Sequence, residues 1–103
     1  WKTQPDDNGN FGHVQIAACG PAVCGVLIQA FDASGAAQPS EHVNKRILWD
    51  MAAQGGGAYG GGKIFAPDRG KTYNSKMVLA GSTLRVSGCV LGICREQTWT
   101  KVR

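Results

Sequence analysis

Residues 59–73 read Tyr-Gly-Gly-Gly-Lys-Ile-Phe-Ala-Pro-Asp-Arg-Gly-Lys-Thr-Tyr. Three glycines lead into a short β-prone run, residues 63–65, and residues 67–70 are turn formers, each for a different physical reason. A second β-prone run begins at Lys71. The stretch therefore predicts a β-hairpin, which we place at the centre of an antiparallel barrel.

Segments of similar character lie on both sides of this hairpin. Val14 and Ile16 alternate with His13 and Gln15, the period of two that is typical of a half-buried strand. Residues 45–53 taken alone would also fit one or two helical turns, but both neighbours are strands, so we predict a strand there. The predicted strands are residues 1–3, 11–18, 25–31, 45–53, 58–65, 71–80, 83–89 and 95–102.

About eight short strands with regular turn signals and no strong helix predict an all-β domain spanning residues 1–103. An antiparallel up-and-down barrel or a sandwich fits this pattern, and we favour the barrel. Pairing the first strand at Trp1 with the last near Trp99 would remove exposed sheet edges. Residues 32–44 form the longest predicted loop, of a length that is often mobile or functional.

Composition excludes several classes of protein. With 43% hydrophobic and 17% charged residues, the 103-residue chain has material for a core and too little charge for disorder. The net charge is +4, but the 11 Lys and Arg residues are scattered, so we expect no nucleic-acid partner. No apolar run approaches the length of a membrane-spanning helix.

The four cysteines occur as two pairs, Cys19 with Cys24 and Cys89 with Cys94. Each pair flanks a predicted hairpin connection, which favours two local disulfides; cross-pairing, one zinc ion held by four thiolates, and free thiols remain alternatives. Disulfides indicate an oxidising compartment. The chain starts at Trp1 rather than Met, so we expect that a signal peptide has been removed and that the protein is periplasmic or secreted.

Motifs for catalysis and cofactor binding are weak. Residues 57–63 have the glycine and lysine spacing of a phosphate-binding loop, but Ile64 stands where Ser or Thr is needed. Ser40, Glu41 and His42 are adjacent in sequence, which is not the geometry of a catalytic triad. We expect no enzyme activity, with a hydrolase using His42 as the minor alternative, and no cofactor or bound metal.

Aromatic and aliphatic side chains could line a ligand cavity or simply fill the core. A barrel of this size encloses side chains or one small ligand. The candidate lining residues are Val14, Ile16, Ile28, Leu48, Ile64, Met77, Leu84 and Val86. Two functions follow: an exported barrel that binds or carries a small apolar molecule, or a structural or interaction module of the cell envelope without such a ligand.

Several segments together resemble a bacterial family of small exported proteins that is catalogued as a domain of unknown function. The matching residues are Trp1, Cys19, Cys24, Gly25, the segment Gly61 to Phe65, Pro67, Gly70 to Tyr73, Leu84, Val86, Gly88, Cys89 and Gln97 to Thr100. The resemblance covers nearly the whole chain. It implies a lipocalin-like (calycin-type) barrel in the periplasm or outside the cell, a small apolar ligand and no known activity. We expect a monomer or weak homodimer.

Overall fold

Eight antiparallel β-strands form one continuous sheet in a computed structural model that describes residues 1–102. Within those residues no helix is present. The strands are β1 (Phe11–Cys19), β2 (Ala22–Phe31), β3 (Ala37–Gln38), β4 (Arg46–Gly55), β5 (Ala58–Ala66), β6 (Lys71–Ala80), β7 (Thr83–Val90) and β8 (Ile93–Thr100). The all-β prediction is confirmed. The short β3 was missed, because it lies inside the predicted loop 32–44, and the strand predicted at residues 1–3 is only an isolated bridge at Lys2.

Strand order in the sheet follows the chain. The path is β1-β2-β4-β5-β6-β7-β8, and β3 pairs with the end of β2 beside it. The segment quoted above forms the β5–β6 hairpin, in which Ala66 lies opposite Lys71. The predicted strand at residues 45–53 is β4 rather than a helix. The sheet is thus a meander of hairpins, as the regular turn signals predicted.

The sheet curls until the N-terminal segment meets both of its edge strands. Lys2 bridges His13 on β1 and Thr100 on β8. The Lys2 N–H donates to the Thr100 carbonyl at 2.7 Å, and the Thr100 N–H donates back at 3.0 Å. The predicted pairing of the first and last segments is confirmed at this point. The result is a curled half-barrel whose two edge strands are connected through the N-terminal segment.

The connections between strands fall at two ends of the half-barrel. Residues 20–21, 56–57 and 81–82 turn the chain at the end where β8 finishes at Thr100. Residues 4–10, 32–45, 67–70 and 91–92 lie at the other end, which we call the mouth end. The mouth end carries the longer loops, so it is where the sequence can build a site without disturbing the sheet.

The disulfides lie at opposite ends. Cys19 is bonded to Cys24 across the β1–β2 turn, and Cys89 is bonded to Cys94 across the β7–β8 turn at the mouth end. This is the predicted local pairing. Closing such short loops restricts the unfolded chain and stabilises the fold by about 2 kcal/mol for each bond.

A cluster of large side chains fills the interior between the two ends. Its fully buried members are Val14, Leu48, Met51, Val86 and Trp99. The buried hydroxyl of Ser75 is satisfied, since it donates to the Ser87 carbonyl at 2.6 Å. The core is therefore apolar with its few polar groups paired, as a stable interior requires.

The glycine run in β5 allows a close approach between strands. A Cβ on Gly62 would lie 2.6 Å from the Met51 sulfur and 2.7 Å from the Trp49 carbonyl oxygen. Real Cβ atoms do not come so near to other atoms, and the carbonyl belongs to backbone that cannot easily move. Gly62 is therefore required by packing against β4.

We expect Gly62→Ala to lower the free energy of unfolding by about 2 kcal/mol, because overpacking forces backbone shifts. Gly88 is the matched control. A Cβ there would meet nothing closer than 3.5 Å, at Tyr73. Gly88→Ala should be neutral or slightly stabilising, since it reduces the entropy of the unfolded chain. Urea denaturation of both variants measures the difference, and equal losses would show that packing at Gly62 is not the cause.

Candidate functional site

A cavity of about 350 Å³ opens at the mouth end of the half-barrel. Its walls come from the N-terminal segment, from β1, β2, β3, β4, β5 and β8, and from the mouth-end loops. The lining residues are Thr3, Gln4, Asp6, Asn10, Phe11, Gly12, Leu27, Ala30, Gln38, Pro39, Ser40, His42, Ile47, Ile64, Phe65, Ala66, Pro67, Asp68, Gln97 and Trp99. Both edges of the curled sheet thus contribute to one concave site.

The floor of the cavity is apolar. Leu27, Ile47 and Trp99 are buried, and they belong to the same cluster that forms the core. Ile64 and Phe65 at the end of β5 pack against that cluster and remain partly exposed. A ligand on this floor would bury apolar surface against a rigid core, which contributes roughly 25 cal/mol for each Å² removed from water.

The rim is polar and carries acidic groups. Asp6 and Asp68 line the cavity, and among the described lining residues none is Lys or Arg. This contrasts with the whole chain, whose net charge is +4. The other polar lining side chains are Thr3, Gln4, Asn10, Gln38, Ser40, His42 and Gln97. The rim therefore offers carboxylates, amides and hydroxyls rather than a cation.

Local hydrogen bonds hold the loops that carry these groups. The Asp6 carboxylate accepts the N–H of Asn8 at 2.9 Å and the N–H of Asn10 at 3.0 Å. These bonds fix the turn in residues 4–10, as a short acidic side chain at the start of a turn commonly does. The Asp6 charge is therefore placed at the rim by the backbone of its own loop.

Asp32 fixes the start of the other rim loop in the same way. Its carboxylate accepts the Ser34 hydroxyl at 2.6 Å and the Ala36 N–H at 3.0 Å. The Ser34 hydroxyl, followed by the backbone N–H groups, holds the pKa of Asp32 below its ordinary value. The stabilisation is present above the ordinary carboxyl pKa and is lost as the pH falls through the lowered one.

His42 lies at the rim but has no catalytic arrangement around it. Its ring packs on Phe65 with centroids 5.2 Å apart, and its Nε2 lies 3.6 Å from a Glu41 carboxylate oxygen. The Ser40 hydroxyl accepts the backbone N–H of His42 at 3.2 Å, rather than contacting the ring. The geometry is that of a loop turn, which supplies no activated nucleophile.

Seven of the eight candidate lining residues fall into three groups. Ile64 lines the cavity wall. Ile16 is half-buried against the core. Five others are buried in the core beneath the cavity: Val14, Leu48, Met77, Leu84 and Val86.

The placement of Ile28 in the interior was wrong, because its side chain is 44% exposed on the outer face. Val14 lies opposite Leu27 and His13 lies opposite Gln29, so Ile28 is an extra residue without a partner on β1. Such a β-bulge changes which residues face inward after it. Leu27 and Ala30 occupy the interior positions instead.

Several site residues were missed by reasoning from sequence. Leu27 and Ile47 lie next to strand irregularities, and their positions depend on pairing that local alternation does not encode. Asp6 and Asp68 lie in predicted turns, where an Asp has an ordinary structural explanation. Trp99 and Phe65 are among the aromatic residues that were expected to line a cavity or fill the core. In the structure both line the floor of the cavity.

The described residues contain no group of three or more side chains placed to hold a metal ion. Within residues 1–102 no helix has the length and apolar character needed to cross a bilayer.

Comparison with solved structures identifies the class of fold. A Helicobacter pylori protein, HP1028, described as belonging to the lipocalin family, matches with a TM-score of 0.79 at 19% sequence identity. The match covers 99% of this chain and 80% of that one. At this identity the likeness shows the fold, which is lipocalin-like.

The family follows from the sequence itself. Residues 1–101 match the family described as "Uncharacterized protein conserved in bacteria (DUF2147)", and the chain belongs to that family. No curated protein matches the sequence. The resemblance seen in the sequence is confirmed.

Proposed function

We propose that the protein binds one small apolar molecule, or the chain of one amphiphile, in the cavity at the mouth end, as a non-enzymatic carrier. The observation that supports this most directly is the open cavity of about 350 Å³ above an apolar floor. Ligand pockets commonly enclose about 300–1,000 Å³, so this cavity suits a single slender ligand.

The composition of the cavity supports binding rather than chemistry. A mostly apolar floor with a few convergent polar groups is the usual arrangement of a small-molecule site. The half-barrel holds the floor in place before a ligand arrives, so binding does not require ordering of the floor residues. The polar rim would orient the polar end of an amphiphile toward solvent.

Export is part of the proposal. The two disulfides are consistent with an oxidising compartment, such as the periplasm or the outside of the cell. A thiol assay on denatured protein isolated from its own cells would test this. We expect no reactive thiol, and four reactive thiols would contradict export.

A substitution on the floor can fill the cavity and leave the rim residues unchanged. Ala30 is buried and lines the floor. We expect Ala30→Phe to weaken binding of N-phenyl-1-naphthylamine, an uncharged fluorescent probe, by about tenfold or more, because the new ring occupies space equal to much of a small ligand. A fluorescence titration of the folded variant measures the affinity.

Ala18→Phe is the matched control, since Ala18 is exposed on β1 near the opposite end. It should bind the probe like the unchanged protein. The proposed function would be contradicted if the unchanged protein showed no saturable binding of the probe. It would also be contradicted if both substitutions weakened binding equally. Thermal melting of both variants confirms that they are folded.

A further inference from the structure

The turn between β7 and β8 presents large apolar side chains to solvent. Val90 is 48% exposed, Leu91 is 97% exposed and Ile93 is 73% exposed. With Gly92 they form four consecutive residues, which we call the hairpin tip. The Cys89–Cys94 disulfide lies at its base and restrains it. Large apolar groups exposed together on a soluble domain commonly mark an interaction site.

The backbone of the tip points to the same conclusion. Leu91 has a φ of 51° and Gly92 has a φ of 81°, the left-handed pair of a tight two-residue hairpin turn. Such turns favour Asn-Gly or Asp-Gly, and a leucine rarely adopts this conformation. Leu91 therefore has a backbone conformation that is unfavourable for leucine and an apolar side chain that is exposed to water. Unfavourable local choices of this kind are found at functional sites.

Cations outnumber carboxylates beside the tip. Arg95 follows the disulfide on β8, and the neighbouring β5–β6 hairpin also extends toward the mouth end. The exposed charged residues on this side are Lys63, Arg69, Lys71, Lys76 and Arg95, with the carboxylates Asp68 and Glu96. Four other acidic residues at the mouth end, Asp6, Asp7, Asp32 and Glu41, lie in the loops 4–10 and 32–45 beside β1 and β2.

We propose that the hairpin tip docks on an anionic phospholipid surface. Leu91 and its apolar neighbours would enter the boundary between headgroups and acyl chains, while the adjacent cations would contact lipid phosphates. A narrow convex tip suits a bilayer better than a protein partner, because a stable protein interface needs a much larger complementary area.

The docking surface and the cavity lie at the same end of the half-barrel. None of the four tip residues lines the cavity. The docking proposal consequently depends on different residues from the proposed function and can be tested separately.

The test is co-sedimentation of the full chain with vesicles of phosphatidylcholine alone and with added phosphatidylglycerol. We expect binding to the mixed vesicles, weakened by salt because exposed charges are screened. Leu91→Asn should lower that binding by about tenfold, since it removes one inserted apolar side chain. It should also raise the melting temperature, because asparagine tolerates the left-handed turn.

Leu79→Asn is the control, because Leu79 is an exposed leucine near the opposite end. It should leave vesicle binding unchanged. Binding to neither vesicle type, or a Leu91→Asn variant that is more stable and binds as before, would overturn the docking proposal. Binding of N-phenyl-1-naphthylamine to Leu91→Asn should remain unchanged, so failure of the cavity proposal would be seen independently.

Discussion

Replacing Trp99 by alanine is expected to lower the free energy of unfolding by about 3–5 kcal/mol, the usual cost of truncating a buried aromatic residue. Trp99 is 1% exposed, lies opposite Leu84 on β7 and belongs to the core cluster. It also forms part of the cavity floor. Its loss would leave a void shared by core and site. Urea denaturation followed by circular dichroism measures the change.

Two further variants separate the causes of that loss. Trp99→Phe keeps most of the packed volume but removes the indole N–H, which donates to the Gln97 side chain at 2.9 Å. We expect an intermediate loss. Thr98→Ala changes the exposed neighbour and should alter the free energy by about 0.5 kcal/mol or less. A loss for Trp99→Ala as small as for Thr98→Ala would mean that the residue does not support the core.

Local patterns were sufficient to predict most of the sheet. The alternation around Val14 and the turn formers at residues 67–70 correspond to β1 and to the β5–β6 connection. A hairpin is formed by residues that are close together in the sequence, so one short segment is enough to predict it. The cysteine pairs were predictable for the same reason, because each joins the two sides of one tight turn.

The strand irregularities could not be predicted in this way. Ile28 is the extra residue of a bulge, and Asp50 within β4 has a φ of 57°. Each shifts the inward face of a strand, and each depends on how the sheet must curl to close rather than on the residues alone. A rule of strict alternation therefore selected the core correctly at Val14 and Val86 and failed at Ile28.

The cavity is formed by residues that are far apart in the sequence. The cavity wall combines loop residues with the ends of several strands, and Gln4 reaches β8, where its side-chain oxygen accepts the Thr98 N–H at 3.0 Å. Contacts between residues so far apart in sequence leave no periodic signal. In the sequence, Asp6 and Asp68 have the pattern of turn residues. Only the fold shows that both lie on the rim of the cavity.

The acidic rim should make the cavity select its ligand by charge. Among amphiphiles with one dodecyl chain, we expect the trimethylammonium form to bind most tightly, the maltoside less tightly and the sulfate least. Asp6 and Asp68 attract the first head and repel the last, while the described lining offers no Lys or Arg. Between the two charged heads the affinity should differ by about tenfold to a hundredfold, after allowing for screening of exposed charges.

Isothermal titration below the micelle concentration, at low salt, measures these affinities. Asp68→Asn should reduce the preference for the cation, because it removes one rim charge and changes the shape of the side chain little. Asp50→Asn is the control: it removes a carboxylate on β4 outside the cavity lining, and asparagine tolerates its positive φ. Tighter binding of the sulfate would show that cations outside the lining govern recognition. Equal affinities for all three heads would mean that only the apolar floor recognises the ligand, with the rim merely bounding its entrance.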